Sequence, residues 1–252
     1  MATALLLSPH LDDAVFSCGG IVATLVRRDW RVVVATVFTR SIHPATGFAL
    51  ACQRDKGLSD DVDYMALRRD EDAHAVAILG AETLWLDLPE APHRGYDTAA
   101  ALFGEFVSDD EVAASLTMTV DRMMRDLAPD LLLAPAALGG HVDHRRVLEA
   151  VVAVGGDHAV AFWRDVPYII RDPDAVAVSP VVASLEDIRL PIPDTLDLKI
   201  EAALAYQSQT GFQFGGDAQA RAALRQLALA EGEEVAAERL YATPAAMRML
   251  RP

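Results

Sequence analysis

Two short stretches of this 252-residue chain gather the kinds of side chain that hold metals and move protons. SPHLDD at residues 8–13 supplies His10, Asp12 and Asp13, and GGHVDH at residues 139–144 supplies His141, Asp143 and His144. Imidazole and carboxylate together suit a borderline divalent metal such as zinc, and a catalytic zinc takes three protein ligands and keeps one position for water. The two stretches offer more groups than that. Some of them are free for other work, since a carboxylate beside the metal is placed to act as base toward a bound water. Hydrolysis is the chemistry this composition favours.

For clusters half a chain apart to act together, the fold must bring them to one place. Apolar runs at 4–7, 32–38, 83–88 and 131–134 lack alternation and read as strands of a parallel sheet buried on both faces. Amphipathic stretches at 15–28, 64–79 and 111–127 have helical length and end in charge or near Gly or Pro. This βαβαβα order predicts an α/β fold with a Rossmann-like, doubly wound, mostly parallel sheet and right-handed crossovers. From residue 159 onward AVAFW and VAVSPVVASLEDIRLPI lack intervening helices and read as antiparallel strands added toward the C-terminus. Helical patterns return at 196–206 and 218–230. Residues 39–63 form a long polar connection with Pro44 and two glycines, of a length that usually borders a site. Each His/Asp cluster follows a strand, and open α/β sheets bind ligands outside the carboxyl ends of their strands. Both clusters are therefore expected at one sheet edge.

With 52% hydrophobic residues the chain can bury a substantial core, and a single domain over 1–252 is expected. A formal charge of −15 disfavours nucleic acid and anionic membrane surfaces as partners. The N-terminal apolar stretch is short, has no Lys or Arg ahead of it and runs into charged groups, unlike a signal peptide. No run reaches the roughly 18 apolar residues of a membrane span. Cys18 and Cys52 are too few for a disulfide framework, so a cytoplasmic, reducing location is expected, with homo-oligomerisation left open. LGG and GGDAQ lack phosphate-loop or dinucleotide spacing, which argues against a nucleotide cofactor.

PHLDD followed by CGG, with HVDH half a chain later, resembles the LmbE-like or PIG-L family of zinc-dependent N-acetylglucosaminyl de-N-acetylases, marked by a PHPDD-type and an HxDH motif. LRRDEDAHAVAILG is similar to that family's Arg-x-x-Glu helix, and KIEAALAYQSQ to its late Lys-containing helix ending in Ser-Gln. The resemblance implies Zn2+ held by His10, Asp13 and His144, with Asp12 as general base. It implies that His141 stabilises the oxyanion or protonates the leaving amine, that Asp143 orients His141, and that Arg68 contacts substrate. The implied substrate is a small N-acetylated amino sugar or sugar conjugate. Fe2+ or Co2+ can also occupy a two-His, one-Asp site. An amidase for a sugar-free conjugate, or a non-catalytic metal- or carbohydrate-binding module, are the alternatives. Two departures stand out: Leu11 replaces the usual proline, and Ala14 replaces an acidic residue that commonly anchors the loop.

Plainer roles compete for the same residues. The Asp pair could cap the helix that follows it, and His144 could be a first-turn surface histidine. Arg68 could belong to a solvated face with weak pairing to Glu71. His93 and Arg94, in PEAPHRGY after a strand, could meet a polar substrate or simply form a turn.

Overall fold

The computed structural model describes residues 1–108, 110–177 and 179–251. The chain opens with β1 (Thr3–Ser8), α1 (Asp13–Arg27), β2 (Arg31–Thr36), α2 (Gly47–Asp55), α3 (Tyr64–Ile78) and β3 (Glu82–Trp85). It continues with α4 (Val112–Leu127), β4 (Leu131–Pro135), α5 (Val142–Gly155) and β5 (Val160–Trp163). Two short helices, α6 (Tyr168–Arg171) and α7 (Pro180–Ala183), lead to β6 (Glu186–Pro191). Helices α8 (Leu196–Leu204), α9 (Gln207–Phe214) and α10 (Asp217–Glu231) precede β7 (Ala237–Ala242) and α11 (Pro244–Leu250).

The strands form one seven-stranded sheet in the order β3-β2-β1-β4-β5-β7-β6. β1 pairs in parallel with β2 on one side and with β4 on the other, in register Leu5↔Leu132 and Leu6↔Leu133. The chain thus winds outward from β1 in one direction, then returns to wind from β4 in the other. The crevice at that reversal is where a doubly wound sheet takes its ligands, and the two motifs follow β1 and β4. Leu5, Leu6, Leu7, Leu131 and Leu133 are fully buried, and each such side chain contributes roughly 1.5–3 kcal/mol through removal from water. The motif loops therefore leave from two buried, adjacent strands at the centre of the sheet.

Three expectations need correction. β5 is parallel to β4, because α5 supplies a crossover helix between them; the antiparallel pairings are those of β7, with β5 on one side and β6 on the other. β7 has no counterpart among the expected strands, since AERLYA carries Glu238 and Arg239 and does not read as a buried strand, yet Glu238 is 1% exposed. The polar connection at 39–63 contains α2, whose buried residues are only Ala49 and Gln53, too few to give an apolar period.

Candidate metal centre and its cavity

The first motif is laid out by a loop tied to both neighbouring elements. Ser8 Oγ donates to His10 O at 2.7 Å and accepts from Ala14 N at 3.1 Å, while Arg68 Nη2 donates to Leu11 O at 3.2 Å. Ser8 and Arg68 thus hold the loop in a chain where residue 14 has no carboxylate. Asp12 occupies the N-cap position of α1, but its side chain makes no capping hydrogen bond. Capping does not account for it. Asp13 accepts the His10 amide on Oδ2 at 2.8 Å.

From β4 a glycine turn delivers the second motif. Gly139 has φ +89°, and a Cβ there would lie 2.5 Å from Tyr168 Cγ, so glycine both makes the turn and lets Tyr168 approach. His141 then caps α5, its Nδ1 accepting from Asp143 N at 3.2 Å. His144 is 1% exposed, which removes the surface-histidine reading. Its ring meets Tyr168 edge-on at 5.5 Å.

The carboxylate of Asp13 joins the two motifs. Its Oδ2 lies 3.2 Å from His10 Nδ1 and 3.2 Å from His144 Nε2. The far nitrogen of each ring meets a second carboxylate: His10 Nε2 lies 2.9 Å from Asp143 Oδ2, and His144 Nδ1 lies 2.7 Å from Asp165 Oδ1. Carboxylates behind ligating histidines fix the tautomer and aim the inner nitrogen at the metal. Burial alone would make both imidazoles neutral, but Asp13 and Asp143 raise the His10 pKa, and Asp13 with Asp165 pushes His144 up to about 9. Burial would raise Asp13, yet the charge of His144, with His10 on its other side, holds it well below the usual carboxylate range. A site that draws protons onto two facing imidazoles is one that attracts a cation.

The residues fit a divalent ion. His144 Nε2 is buried and makes no hydrogen bond despite its closeness to Asp13. One ligand atom each from His10, Asp13 and His144 fall within 4.8 Å of one another. A second grouping of similar compactness, His10, His141 and Asp143, fits poorly. There His141 Nδ1 is committed to the Asp143 amide, and the Asp143 oxygens already accept from His10, Ala91 N at 3.0 Å and Arg94 Nη2 at 2.7 Å.

A cavity of about 280 Å³ opens above this centre, lined by His10, Asp12, Asp13, His141 and Asp143 together with Arg68, Glu90, Phe103, Tyr168 and Phe212. Asp12 is 5% exposed, and burial pushes its carboxyl up to about 7 against the opposing charge of Arg68. Burial holds His141 down to about 3, so its ring is neutral. With Nδ1 accepting a backbone N–H, the ring proton sits on Nε2.

The structure redistributes the other candidates. Arg68 is 4% exposed, not on a solvated face. It pairs with Glu90 at 2.7 Å and Asp12 at 3.4 Å and lies over the Tyr64 ring at 5.2 Å. Glu71, its supposed partner, accepts instead from Ser208 N and Oγ at 2.8 and 2.7 Å. That contact ties the Arg-x-x-Glu helix to the Ser-Gln helix. Asp143 does not orient His141 through its carboxylate; the contact is between its amide and that ring, and the carboxylate serves His10. Arg94 faces away from the cavity because a buried carboxylate needs a cation: it donates to Asp143, to Asp110 at 3.0 Å and to Pro89 O at 2.7 Å. His93 lines a separate small crevice with Asp63 and Met65. Asp165 was missed. An acid two residues past a strand is the available signal, but an antiparallel β5 would carry it to the opposite edge of the sheet.

Residues 5–154 match the family described as PIG-L: GlcNAc-PI de-N-acetylase. The chain is 35% identical over 213 residues to 2'-N-acetylparomamine deacetylase from Streptomyces fradiae, covering 82% of this chain and 73% of that one. It superposes on the A40926 pseudoaglycone deacetylase Dbv21 with a TM-score of 0.83 and 25% identity, over 95% of this chain and 96% of that one. The 4-carboxy-2-hydroxymuconate hydratase GalB from Pseudomonas putida KT2440 shares the fold at a TM-score of 0.63 and 18% identity, over 96% of each chain. Fold alone therefore does not select the reaction; the side chains in the cavity do.

Proposed function

Because the chain belongs to the PIG-L family and is thereby an amide hydrolase acting on N-acetyl groups, we propose that it deacetylates an amino sugar within a larger conjugate, with His10, Asp13 and His144 holding zinc. The observation that carries this reading is the placement of Asp13 Oδ2 at 3.2 Å from both His10 Nδ1 and His144 Nε2, beneath a cavity that Asp12 and His141 also line.

A divalent ion held by these three residues would supply Lewis acidity toward the acetyl carbonyl and a water activated near neutral pH. Asp12 is the proton acceptor: its carboxylate faces the cavity, caps no helix and has Arg68 as its nearest cation. It takes a proton from the attacking water and returns one to the leaving nitrogen, so that addition across the amide and cleavage of the C–N bond yield acetate and a free amine. His141, neutral with its proton on Nε2, donates toward the oxyanion that develops on the acetyl oxygen. Arg68 is a positioning residue, holding Leu11 O and Asp12 in place from α3. A module that merely held metal would have no use for a buried, uncapped carboxylate at position 12.

The substrate class follows from the relatives and the cavity. The Streptomyces fradiae relative is named for an acetylated amino sugar conjugate, and this cavity carries Phe103 and Phe212, 48% and 50% exposed, as faces against which sugar rings can pack. We take the whole of 1–252 to act as one catalytic domain, since one sheet and one main hydrophobic cluster run through it. Among the described residues no helix is long and apolar enough to cross a membrane. Cys18 and Cys52 are free thiols, which supports a reducing, cytoplasmic setting. Acetate release from N-acetylglucosamine and from 2'-N-acetylparomamine by zinc-loaded protein tests the proposal. No release from either, by protein shown to contain zinc, would reject it.

A further inference from the structure

Three features of the chain have no task in the site just described: the Cys18-Gly19-Gly20 run after the first motif, Lys199 of the late helix, and Glu238 in β7. They meet at one point. α1 is broken at Cys18, where φ −139° and ψ 26° are non-helical, and amides that follow such a break lack intrahelical acceptors. Gly20 N and Ile21 N donate instead to Oε1 and Oε2 of Glu238, at 3.0 and 2.8 Å. Lys199 Nζ lies 2.6 Å from the same Oε1, with both side chains 2% exposed. The buried carboxylate thus has two amide donors and a cation, which offsets its desolvation. The glycines make the junction close enough to form: a Cβ at Gly20 would lie 2.6 Å from Ile192 Cδ1, and one at Gly19 would lie 3.1 Å from Lys199 Cγ.

Upstream of the break, α1 is a single turn that begins at Asp13 and ends at Ser17. Ser17 Oγ accepts from Val166 N at 3.1 Å, beside Asp165, which holds His144 Nδ1. This turn therefore touches the metal centre twice, through its own Asp13 and through the support of His144. An unbroken helix would tie the direction of Asp13 to that of the long segment packed on the sheet. The break frees it, and an anchored second segment then sets where the first turn points.

We propose that Glu238, charge-balanced by Lys199, is a positioning residue for the metal centre: by capping the second segment of α1 it fixes the direction of the first turn, and with it Asp13 and the Ser17–Val166–Asp165 support of His144. The proposal rests on the metal-centre reading above.

Two readouts independent of turnover test it: zinc affinity by competition with a chromogenic chelator, and the visible absorption of Co2+-loaded protein. Glu238→Gln, shown to be folded by cooperative unfolding, should lose about tenfold or more in zinc affinity, the scale for disturbing the support of a metal ligand, and its Co2+ spectrum should change. Val120→Ala, a cavity in α4 that also lowers stability, should leave both readouts at wild-type values. Ser17→Ala keeps the cap and removes only the link to Val166, and should move both readouts less, in the same direction. Wild-type affinity and spectrum in Glu238→Gln would overturn the proposal; if that variant does not fold, the same result in Ser17→Ala would. A wild-type protein that takes up neither metal would instead overturn the metal-centre reading, and this inference with it.

Discussion

Oδ2 of Asp143 lies 2.9 Å from Nε2 of His10, across 133 positions of sequence, while Oδ1 of the same carboxylate lies 2.7 Å from Arg94 Nη2. Asp143 is thus the outer partner of a metal ligand, as Asp165 is for His144. Asp143→Asn should lower zinc affinity by about 10–100-fold, the range for removing such a partner, because one amide position would present N–H groups to a donor. Competition against a chelator measures this; a variant with full affinity and reduced kcat would return Asp143 to service of His141.

Asp12 and His141 should be separable from metal binding. Asp12→Asn should retain zinc and lose on the order of 10²–10⁴ in kcat as a proton acceptor disappears. His141→Ala should retain zinc and lose about 10²–10³, the scale of one oxyanion donor. Acting on one intermediate, the two losses should combine to less than their product. Elemental analysis beside steady-state rates decides this, and near wild-type turnover in zinc-loaded Asp12→Asn would sink the mechanism.

Arg68→Ala should act chiefly on kcat. The side chain is 4% exposed and holds Leu11 O, Asp12 and Glu90, so its loss leaves two acids without their cation and loosens the loop that carries the base. We expect a fall of about tenfold or more in kcat with a smaller change in KM, the pattern of an interaction that matters in the transition state. A pure KM effect would show direct substrate binding.

Zinc uptake should release protons. Asp13, Asp143 and Asp165 raise the pKa of His10 and His144, the latter to about 9, and imidazole must be neutral to ligate. Zinc titrations followed by calorimetry near pH 7.5, in buffers of different ionisation enthalpy, should show about two protons released per ion. Affinity should fall as pH falls. Buffer-independent heats would contradict the ligand assignment.

Asp72 gives a stability signature away from the centre. It is 1% exposed and accepts from Trp85 Nε1 and Tyr206 Oη, both at 2.8 Å; burial outweighs these bonds and pushes its carboxyl up to about 6 from 3.8. A carboxyl whose pKa rises on folding favours the folded state while protonated, so this contribution is present below pH 4 and is lost as pH climbs through 6. Relative to wild type, Asp72→Asn should therefore gain stability between pH 4 and pH 7, by up to about 3 kcal/mol at about 1.4 kcal/mol per pH unit. Denaturant unfolding at both pH values measures it, and a constant difference would show that Asp72 does not titrate in that range.

The α/β class, the strands at the centre of the sheet and the two motifs at its ligand edge can be read from residue types and their spacing. Bare apolar runs and residues at fixed offsets from them are local signals, and β1 and β4 are buried so completely that no other arrangement suits them. Tertiary structure alone decided which side chains support those motifs. Asp165 reaches His144 only because β5 is parallel, Glu238 reaches α1 only through an unforeseen strand, and Arg94 turns from the cavity because Asp143 is buried beside it. In each case a buried charge finds its partner across a large separation in sequence. The need for such a partner is physical and general, but its address is set by packing and leaves no local pattern.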